Sequence, residues 1–359
     1  MSDGSRTRVA VLGAGGLGKA AARLIGMKRE LRLAAICDSR GVVRSTAGLN
    51  GDEVARVSGD LVESYRQLEA LHGASDRQAE AGGPGESGGV ATATATDASH
   101  CDDPIGEMIA YASEFDAVLV ALPNLPNAFI PGVIERFARA NHSLVFVDVL
   151  KRTRAVEHMF ALEPVVRQSR SVVMTGCGAT PGILAAAAVL AAQSFVEVEK
   201  VDIWWGVGIA NWEAYKATIR EDIAHLPGYS VERAKAMTDA EVDALLEQTD
   251  GLLTLRHMEH ADDLLLQRVG VVDDLDQVEV GGIMDTRHPK KPVSTRMTLT
   301  GTTFEGKRAS HTFILGDETT MAANVIGPAL GYLKRGLWLK QRGLFGVFGC
   351  TEFLPMIVK

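Results

Sequence analysis

Short apolar runs alternate with helical patterns through the first half of the chain. Apolar residues at 9–12 and 31–37 predict two strands, and the Ala- and Leu-rich stretch at 17–27 predicts a helix between them. The same alternation continues further along, with strands at 117–122, 144–149 and 172–175 and helices at 128–140 and 183–192. Strands that alternate with helices predict a doubly wound parallel sheet, the Rossmann-like form of the α/β class.

The pattern changes after residue 194. Four segments alternate apolar and polar residues in the manner of antiparallel strands: VEVEKVDIWWGVGI, QVEVGGIM, STRMTLTG and ASHTFILG. They predict a second, α+β domain with a mostly antiparallel sheet. We place the first domain at 1–180, the second at 181–318, and a C-terminal helix and tail that pack back on the first domain at 319–359.

One segment of the first domain is unlike its surroundings. Residues 74–103 read ASDRQAEAGGPGESGGVATATATDASHCDD and contain no aromatic residue. A segment with so few branched apolar residues cannot bury enough surface to offset the entropy lost on ordering. We therefore expect a flexible surface insertion here.

Composition and charge exclude several classes of protein. The chain has 359 residues and a net charge of −8, from 37 basic and 45 acidic residues. This charge repels phosphate backbones, and no basic stretch is interleaved with aromatic residues, so we expect no nucleic-acid partner. The apolar run at 183–192 is too short to cross a bilayer, and the N-terminus lacks the apolar core of a signal peptide. We expect a cytoplasmic protein with no membrane partner.

A glycine-rich turn follows the first predicted strand and opens the first predicted helix. It reads GAGGLG and fits the G-x-G-x-x-G pattern with Gly13, Gly15, Gly16, Leu17 and Gly18. The glycines of this pattern allow a tight turn, close approach of a pyrophosphate and close packing of helix on strand. The turn therefore predicts that residues 1–180 bind a dinucleotide cofactor.

Asp38 ends the second predicted strand, 20 residues after Gly18. An acidic residue at this distance can accept a hydrogen bond from the ribose 2′-hydroxyl of NAD. Ser39 and Arg40 follow at once and could hold the 2′-phosphate of NADP. We therefore expect relaxed use of NADH and NADPH.

Two further turns end strands at the same edge of the predicted sheet. Open α/β sheets bind ligands beyond the carboxyl ends of their strands, so Leu122, Pro123 and Asn124 should lie by the nicotinamide half of the cofactor. An ordinary Pro/Asn turn is the alternative. In the turn TGCGATPG, at 175–182, Cys177 and Gly178 are candidate substrate contacts, although Cys177 is more simply a structural thiol.

Lys151 directly follows the strand at 144–150 and so lies at this ligand-facing edge. A lysine amine is a nucleophile only when it is unprotonated. Burial in a cleft beside Arg152 and Arg154 would favour the neutral amine. An amine beside a hydride carrier suggests imine chemistry, whereas an ordinary solvated loop charge is the alternative.

His257 and His260 occur in the segment RHMEH and are candidate proton shuttles. Their spacing of three would also suit a metal site, but the sequence specifies no third ligand, and we expect no metal. A surface or core role for either histidine is the alternative.

Several large side chains of the second domain are candidates for contact with the substrate. Trp205, Trp212 and Tyr215 could line a pocket for an aliphatic substrate, although simple core packing explains them as well. Arg220 could bind a substrate carboxylate.

With these motifs the sequence resembles the saccharopine-dehydrogenase-like oxidoreductases. Among them it is most similar to the BioU type, the lysine-donating 8-amino-7-oxononanoate carboxylating dehydrogenases of biotin synthesis. The resemblance rests on GAGGLG, on VDVLKRT with Lys151, on GCGATPG, and on the stretches DIWWGVGIANWEAYK and ETTMAANVIGPALGYL. It covers nearly the whole chain outside the insertion after Gly73. The lysine segment is its specific part, because many dehydrogenases share the glycine pattern.

The resemblance implies a single-turnover reaction with Lys151 as the amino donor. Its amine would condense with the ketone of 8-amino-7-oxononanoate, NAD(P)H would reduce the imine, and the neighbouring amine would be carboxylated by carbon dioxide or bicarbonate. Re-oxidation by NAD(P)+ on the lysine side and hydrolysis would release the carbamate of 7,8-diaminononanoate. Lys151 would remain as allysine. The resemblance implies no pyridoxal phosphate.

Two other functions remain open from the sequence. One is a multi-turnover amino acid dehydrogenase, similar to saccharopine or diaminopimelate dehydrogenases, with Lys151 as a proton donor. The other is a redox sensor that binds NAD(P) and signals through its second domain. We expect a small-molecule keto acid as partner and a homo-oligomer.

Overall fold

The computed structural model describes residues 6–80, 96–122, 126–209, 212, 216 and 219–359, with the backbone alone at 71–80. Within these ranges the first sheet has eight strands. They are β1 (Thr7–Leu12), β2 (Leu31–Cys37), β3 (Gly41–Arg44), β4 (Asp97–His100), β5 (Ala117–Val120), β6 (Val145–Asp148), β7 (Val172–Thr175) and β13 (Gly346–Gly349). Their order across the sheet is β13-β7-β6-β5-β1-β2-β3-β4.

The strands from β13 to β2 run parallel, whereas β3 is antiparallel to β2, and β4 is antiparallel to β3. The chain leaves β1 towards β2 and later returns to β5 on the other side of β1. This reversal opens a crevice at the carboxyl ends of β1 and β5, which is where such sheets bind ligands.

Helices cover both faces of the first sheet. The described helices are α1 (Gly16–Met27), α2 (Gly51–Arg56), α3 (Leu61–Glu80), α4 (Pro104–Ala110), α5 (Phe129–Arg139), α6 (Thr153–Phe160), α7 (Glu163–Gln168), α8 (Ile183–Ala192), α9 (Ile219–Ile223), α10 (Val231–Ala236), α11 (Asp239–Gln248), α12 (Asp262–Arg268) and α13 (Met321–Gln341). In β1, Val9 and Val11 pack on the side of α1 and α13, whereas Ala10 and Leu12 pack on the side of α4 and α5. Strands buried on both faces are apolar throughout, which is why they were recognisable in the sequence.

The second sheet has five strands in the described part of the chain: β8 (Glu197–Gly208), β9 (Leu252–Leu255), β10 (Val278–Asp285), β11 (Arg296–Thr302) and β12 (Arg308–Ile314). Their order is β12-β11-β8-β10-β9, and every neighbouring pair is antiparallel except β8 and β10. Helix α8 packs on β8 and β11, and its buried residues belong to the same apolar core as α1 and α13. The doubly wound sheet with a second, mostly antiparallel sheet confirms the predicted fold class.

Both described ends of the expected flexible insertion at 74–103 have regular secondary structure. Residues 74–80 continue helix α3, and β4 pairs with β3 at the edge of the first sheet. Asp97 of β4 also forms an ion pair with Arg44 of β3, with 2.8 Å between nitrogen and oxygen. Composition misses this strand because main-chain hydrogen bonds and polar side-chain contacts hold it, and only Ala98 of its four residues is buried. Residues 81–95 lie outside the described residues.

In the part of the chain that the structure describes, we find no helix with both the length and the apolar character needed to cross a membrane.

Candidate active site

The glycine turn between β1 and α1 has the shape that a dinucleotide needs. Gly13 has a φ of +106°, and a Cβ there would lie 2.4 Å from the carbonyl oxygen of Ala121. A Cβ on Gly18 would lie 1.8 Å from the carbonyl oxygen of Gly13, so α1 can approach the turn only because Gly18 has no side chain. A Cβ on Gly15 or Gly16 would meet no atom within 4 Å. The middle of the turn therefore leaves room for a pyrophosphate at the N-terminus of α1.

Asp38 lies immediately beyond β2, at the carboxyl edge of the sheet. Its Oδ1 accepts hydrogen bonds from the backbone N–H groups of Arg40 (2.8 Å) and Gly41 (3.0 Å), and these fix the carboxylate. Ser39 and Arg40 are exposed in the same turn, and the Arg40 guanidinium lies 3.4 Å from the Asp60 carboxylate. The carboxylate keeps lone pairs for a ribose hydroxyl, because each oxygen can accept two hydrogen bonds.

A cavity of about 1020 Å³ lies between the carboxyl edge of the first sheet and the second sheet. Leu17 of the glycine turn and Leu122 beyond β5 line it on the side of the first sheet. Lys151 and His260 line the same cavity. The predicted contacts Pro123 and Asn124 lie outside the described residues. The cavity therefore brings together the glycine turn, the candidate lysine and one candidate histidine.

Lys151 lies in the turn between β6 and α6, and its carbonyl oxygen accepts a hydrogen bond from the backbone N–H of Ala261 at 2.8 Å. Its side chain is exposed although it lines the cavity, so the expectation of a buried amine is wrong for this structure. Arg154 is exposed as well, and Arg152 lies 3.5 Å from the Glu221 carboxylate. The turn thus places the Lys151 amine at the wall of the cavity and leaves it exposed to solvent.

Asp148 ends β6 and is fully buried. Its Oδ1 accepts hydrogen bonds from the backbone N–H groups of Leu150 (3.0 Å) and Gly176 (2.9 Å) and from the Thr175 hydroxyl (3.1 Å). Burial nevertheless raises the pKa of Asp148 to about 6. This carboxyl group fastens the turn that carries Lys151 to the turn that follows β7. Its one signal in the sequence is an acidic residue at the end of an otherwise apolar strand.

His260 is the candidate proton shuttle that the structure places at the cavity. It is 3% exposed, and its Nδ1 lies 2.7 Å from Oδ2 of Asp262, which is fully buried. The Thr180 hydroxyl donates to the same oxygen at 2.7 Å. A carboxylate accepts from Nδ1–H, and this assigns the tautomer in which Nε2 is free to exchange a proton.

The other predicted catalytic histidine, His257, lies away from the cavity. Its side chain is 79% exposed, and its Nε2 lies 4.0 Å from Oε1 of Glu279 on the second sheet. It does not line the cavity. A positive φ of 49° at His257 turns the chain between these two histidines, so they do not share a helical face. Among the described residues no group of three His, Cys, Asp or Glu could hold a metal ion.

Another histidine, His225, lies near Lys151. His225 follows α9 and is half-buried. Burial lowers its pKa, and the positive charges of Lys151 and Arg152 act in the same direction, whereas Asp222 and Glu259 oppose them. His225 is therefore a second imidazole close enough to Lys151 to interact with its charge. No sequence motif marks it.

The aromatic residues of the second domain divide between the cavity and the core. Trp205 lines the cavity together with Met258 and Met284. Trp212 does not itself line the cavity; it packs on the apolar cluster of the second domain to which Met258 and Met284 also belong, and its predicted contact with the substrate stays a prediction. Tyr215 lies outside the described residues.

Two other predicted substrate contacts are also placed elsewhere. Arg220 donates to Oδ1 of Asp239 at 2.6 Å and to the carbonyl oxygen of Met237 at 2.9 Å, and it does not line the cavity. Cys177 is fully buried, and burial raises the pKa of its thiol well above the usual value, so it is neither a nucleophile nor a contact. Gly178, next to it, does line the cavity.

Comparison with known proteins decides the family. No model of a known protein family matches the chain. It is 44% identical over 350 residues to the (S)-8-amino-7-oxononanoate synthase BioU of Haloferax mediterranei, and the match covers 96% of this chain and 98% of that protein. The chain belongs to the BioU family. This confirms the resemblance seen in the sequence.

Solved structures show that this BioU family member has the fold of dinucleotide-binding dehydrogenases. An engineered D-amino acid dehydrogenase bound to NADP+ matches with a TM-score of 0.53 and 16% identity, covering 97% of this chain and 94% of that one. DAP dehydrogenase of C. glutamicum matches with a TM-score of 0.54 and 16% identity, over 97% and 93% of the two chains. Saccharopine dehydrogenase of Saccharomyces cerevisiae matches with a TM-score of 0.56 and 11% identity, over 96% and 94%.

Proposed function

We propose that this chain is an NAD(P)-dependent enzyme of biotin synthesis that converts 8-amino-7-oxononanoate to the carbamate of 7,8-diaminononanoate, with Lys151 as the amino donor. One observation carries the proposal: in a chain of the BioU family, Lys151 lines the same cavity as the glycine turn and His260. The curated relative's name contains 8-amino-7-oxononanoate, which we take as the substrate of this chain.

The residues of the first sheet fit a nicotinamide cofactor. The open middle of the turn at Gly15 and Gly16 would accept the pyrophosphate, and Asp38 would accept from the ribose. Leu17 and Leu122 would then border the nicotinamide ring at the cavity wall. When bound, NAD(P)H supplies a hydride to a carbon–nitrogen double bond, and NAD(P)+ takes one back.

Lys151 carries the covalent chemistry in this proposal. Its neutral amine adds to the ketone and loses water, which forms an imine, and a hydride and a proton convert the imine to a secondary amine. Carbon dioxide adds to the neighbouring primary amine as a carbamate. Loss of a hydride and a proton from the lysine side moves the double bond to Cε, and water then cleaves it. The nitrogen leaves with the product, and Lys151 becomes an aldehyde.

His260 is the residue that would move protons in these steps. Its Nδ1–H is held by Asp262, so Nε2 can take a proton from the lysine ammonium and return it to the oxygen that leaves as water. Trp205, Met258 and Met284 would pack on the aliphatic chain of the substrate. Tethering through Lys151 would keep the same carbon–nitrogen unit beside the cofactor for both hydride transfers.

Mass spectrometry of the intact protein tests this proposal. After incubation with the keto acid and NADH, without bicarbonate, the protein should gain the mass of the keto acid less one water plus two hydrogens. With bicarbonate the adduct should disappear and leave Lys151 as allysine, with at most one product molecule per chain.

The Lys151→Arg variant should bind NADH as the unaltered chain does and form neither adduct nor product. Diamine production by this variant at the normal level would contradict the proposal. Many products per unaltered chain would instead favour a multi-turnover amino acid dehydrogenase, which is the activity named for two of the matching structures. Cofactor binding without any product would favour a sensor.

A further inference from the structure

A loop of the second domain brings two lysines to the cavity. Residues 286–295 connect β10 to β11, and Pro289, Lys290, Lys291 and Thr295 of this loop line the cavity that Lys151 also lines. Lys290 is exposed, and Lys291 is half-buried. The loop therefore adds two positive charges to the wall formed by the second domain.

The loop is held tightly against β8. A Cβ on Gly206 would lie 1.8 Å from the carbonyl oxygen of Val293, and one on Gly208 would lie 2.4 Å from the carbonyl oxygen of Pro289. The Thr295 hydroxyl also accepts a hydrogen bond from the backbone N–H of Gly206 at 3.1 Å. Such close contact between backbones requires glycine on β8, and it fixes where the loop enters the cavity.

Neither lysine forms an ion pair with a carboxylate of the described residues. Lys290 forms no ion pair within the described part of the chain, and the Lys291 ammonium donates to the carbonyl oxygen of Gly316 at 3.4 Å. Asp317 and Glu318 line the same cavity, but neither forms an ion pair with these two ammonium groups. Asp317 instead accepts from the Ser294 hydroxyl at 2.9 Å.

We propose that Lys290 and Lys291 form the subsite for the carboxylate of the substrate, so that the loop at 286–295 selects keto acids over neutral ketones. This inference rests on the proposed function for the identity of the substrate. Arg220, the residue that the sequence favoured for this role, is paired with Asp239 away from the cavity. Arg152 lies close to Glu221, and Lys151 reacts with the ketone in the proposed function. Among the described residues that line the cavity, Lys290 and Lys291 are therefore the side-chain cations left for the acid end.

The test compares binding of 8-amino-7-oxononanoate with binding of its primary carboxamide, which has nearly the same shape and no negative charge. Calorimetric titration is carried out on the full chain with Lys151→Arg, in the presence of NAD+, so that binding is measured without covalent chemistry. The charged ligand should bind about tenfold to 100-fold more tightly than the amide. Adding Lys290→Met and Lys291→Met, which keep the side-chain stems, should abolish this preference.

Lys307→Met is the matched control, because Lys307 is exposed on the turn between β11 and β12, away from the cavity. It should leave the preference for the acid unchanged, and NADH affinity should be the same in every variant. A preference that survives in the double methionine variant would overturn the inference, as would equal binding of acid and amide before those changes.

The proposed function and the carboxylate subsite can be tested separately from each other. If the unaltered chain forms no covalent adduct while the acid preference depends on Lys290 and Lys291, the carboxylate subsite stands and the single-turnover reaction does not. If the two lysines change only the concentration of bicarbonate needed for product release, they serve carbon dioxide instead, and the inference is wrong.

Discussion

Asp262 determines what His260 can do at the cavity. The carboxylate is fully buried and accepts from both His260 Nδ1 and the Thr180 hydroxyl. Its Oδ1 is buried without a hydrogen-bond partner among the described residues, so the orientation of the carboxylate rests on these two donors. A buried acid that accepts from one ring nitrogen fixes the tautomer of a histidine, and Asp262 does this for His260.

We predict that Asp262→Asn slows formation of the covalent adduct about 100-fold, because an amide nitrogen facing Nδ1 would favour the wrong tautomer. The rate is measured by NADH absorbance in a single turnover, with NADH affinity as the check on folding. Thr180→Val is the matched control: it removes one donor and leaves the carboxylate, so its effect should be smaller. An unchanged rate in Asp262→Asn would show that His260 does not depend on this acid.

At the scale of single residues, the sequence identified residues next to strand ends but not side-chain partners. Lys151 and Gly178 line the cavity because each follows a parallel strand, a position that alternation of strands and helices already determines. The ion pair of Arg220 with Asp239 could not be foreseen, because Asp239 lies on another helix and spacing along the chain does not show which charges meet. Lys290 was overlooked for the same reason, since its loop reaches the cavity only through contact with β8.

Helix α13 holds the C-terminal part of the chain against the first sheet. It packs on β5, β6 and β7, and its Gly336 lies against β6, where a Cβ would be 2.5 Å from Cγ1 of the buried Val145. Intrinsic helix propensity favours alanine over glycine by about 1 kcal/mol. The contact with a branched side chain in a fully packed sheet opposes that gain.

We predict that Gly336→Ala lowers the free energy of unfolding by about 1–3 kcal/mol, because overpacking outweighs propensity. Gly132→Ala is the matched control on helix α5, since a Cβ there would meet no atom within 4 Å. It should raise the free energy of unfolding by up to about 1 kcal/mol. Urea unfolding followed by circular dichroism measures both, and stabilisation by Gly336→Ala would mean that α13 can shift away from β6.

Strands were predictable from the sequence where both of their faces are buried, because such strands are apolar throughout. Strands β1, β2, β5, β6 and β7 are buried on both faces, and their apolar runs were found within a few residues of their bounds. Strand β4 reads DASH, and β13 reads GVFG, and both lie at the edges of the sheet. Such short edge strands depend on pairing with distant segments, which local sequence does not encode.

Two acids, Asp60 and Asp148, give the stability of the protein opposite dependences on pH. Hydrogen bonds from the Glu63 backbone and from His100 lower the pKa of Asp60 to about 2, so its contribution is present above its ordinary value and is lost as the pH falls. Burial raises the pKa of Asp148 from 3.8 to about 6. Between these two values the folded chain holds a proton on Asp148 that the unfolded chain has lost. Asp148 therefore makes the folded state less stable as the pH rises from about 4 to about 6.

We predict that Asp148→Asn removes this decrease in stability with rising pH. The free energy of unfolding of the variant, relative to the unaltered chain, should increase by about 1 kcal/mol per pH unit between pH 4 and pH 6 and stay constant above that range. Asp60→Asn is the matched control, because its difference from the unaltered chain should be confined to lower pH. Urea unfolding at a series of pH values provides the measurement. Parallel curves for the Asp148 variant and the unaltered chain would mean that Asp148 stays ionised when buried, held by the donors from Leu150, Thr175 and Gly176 that link the Lys151 turn to the turn beyond β7.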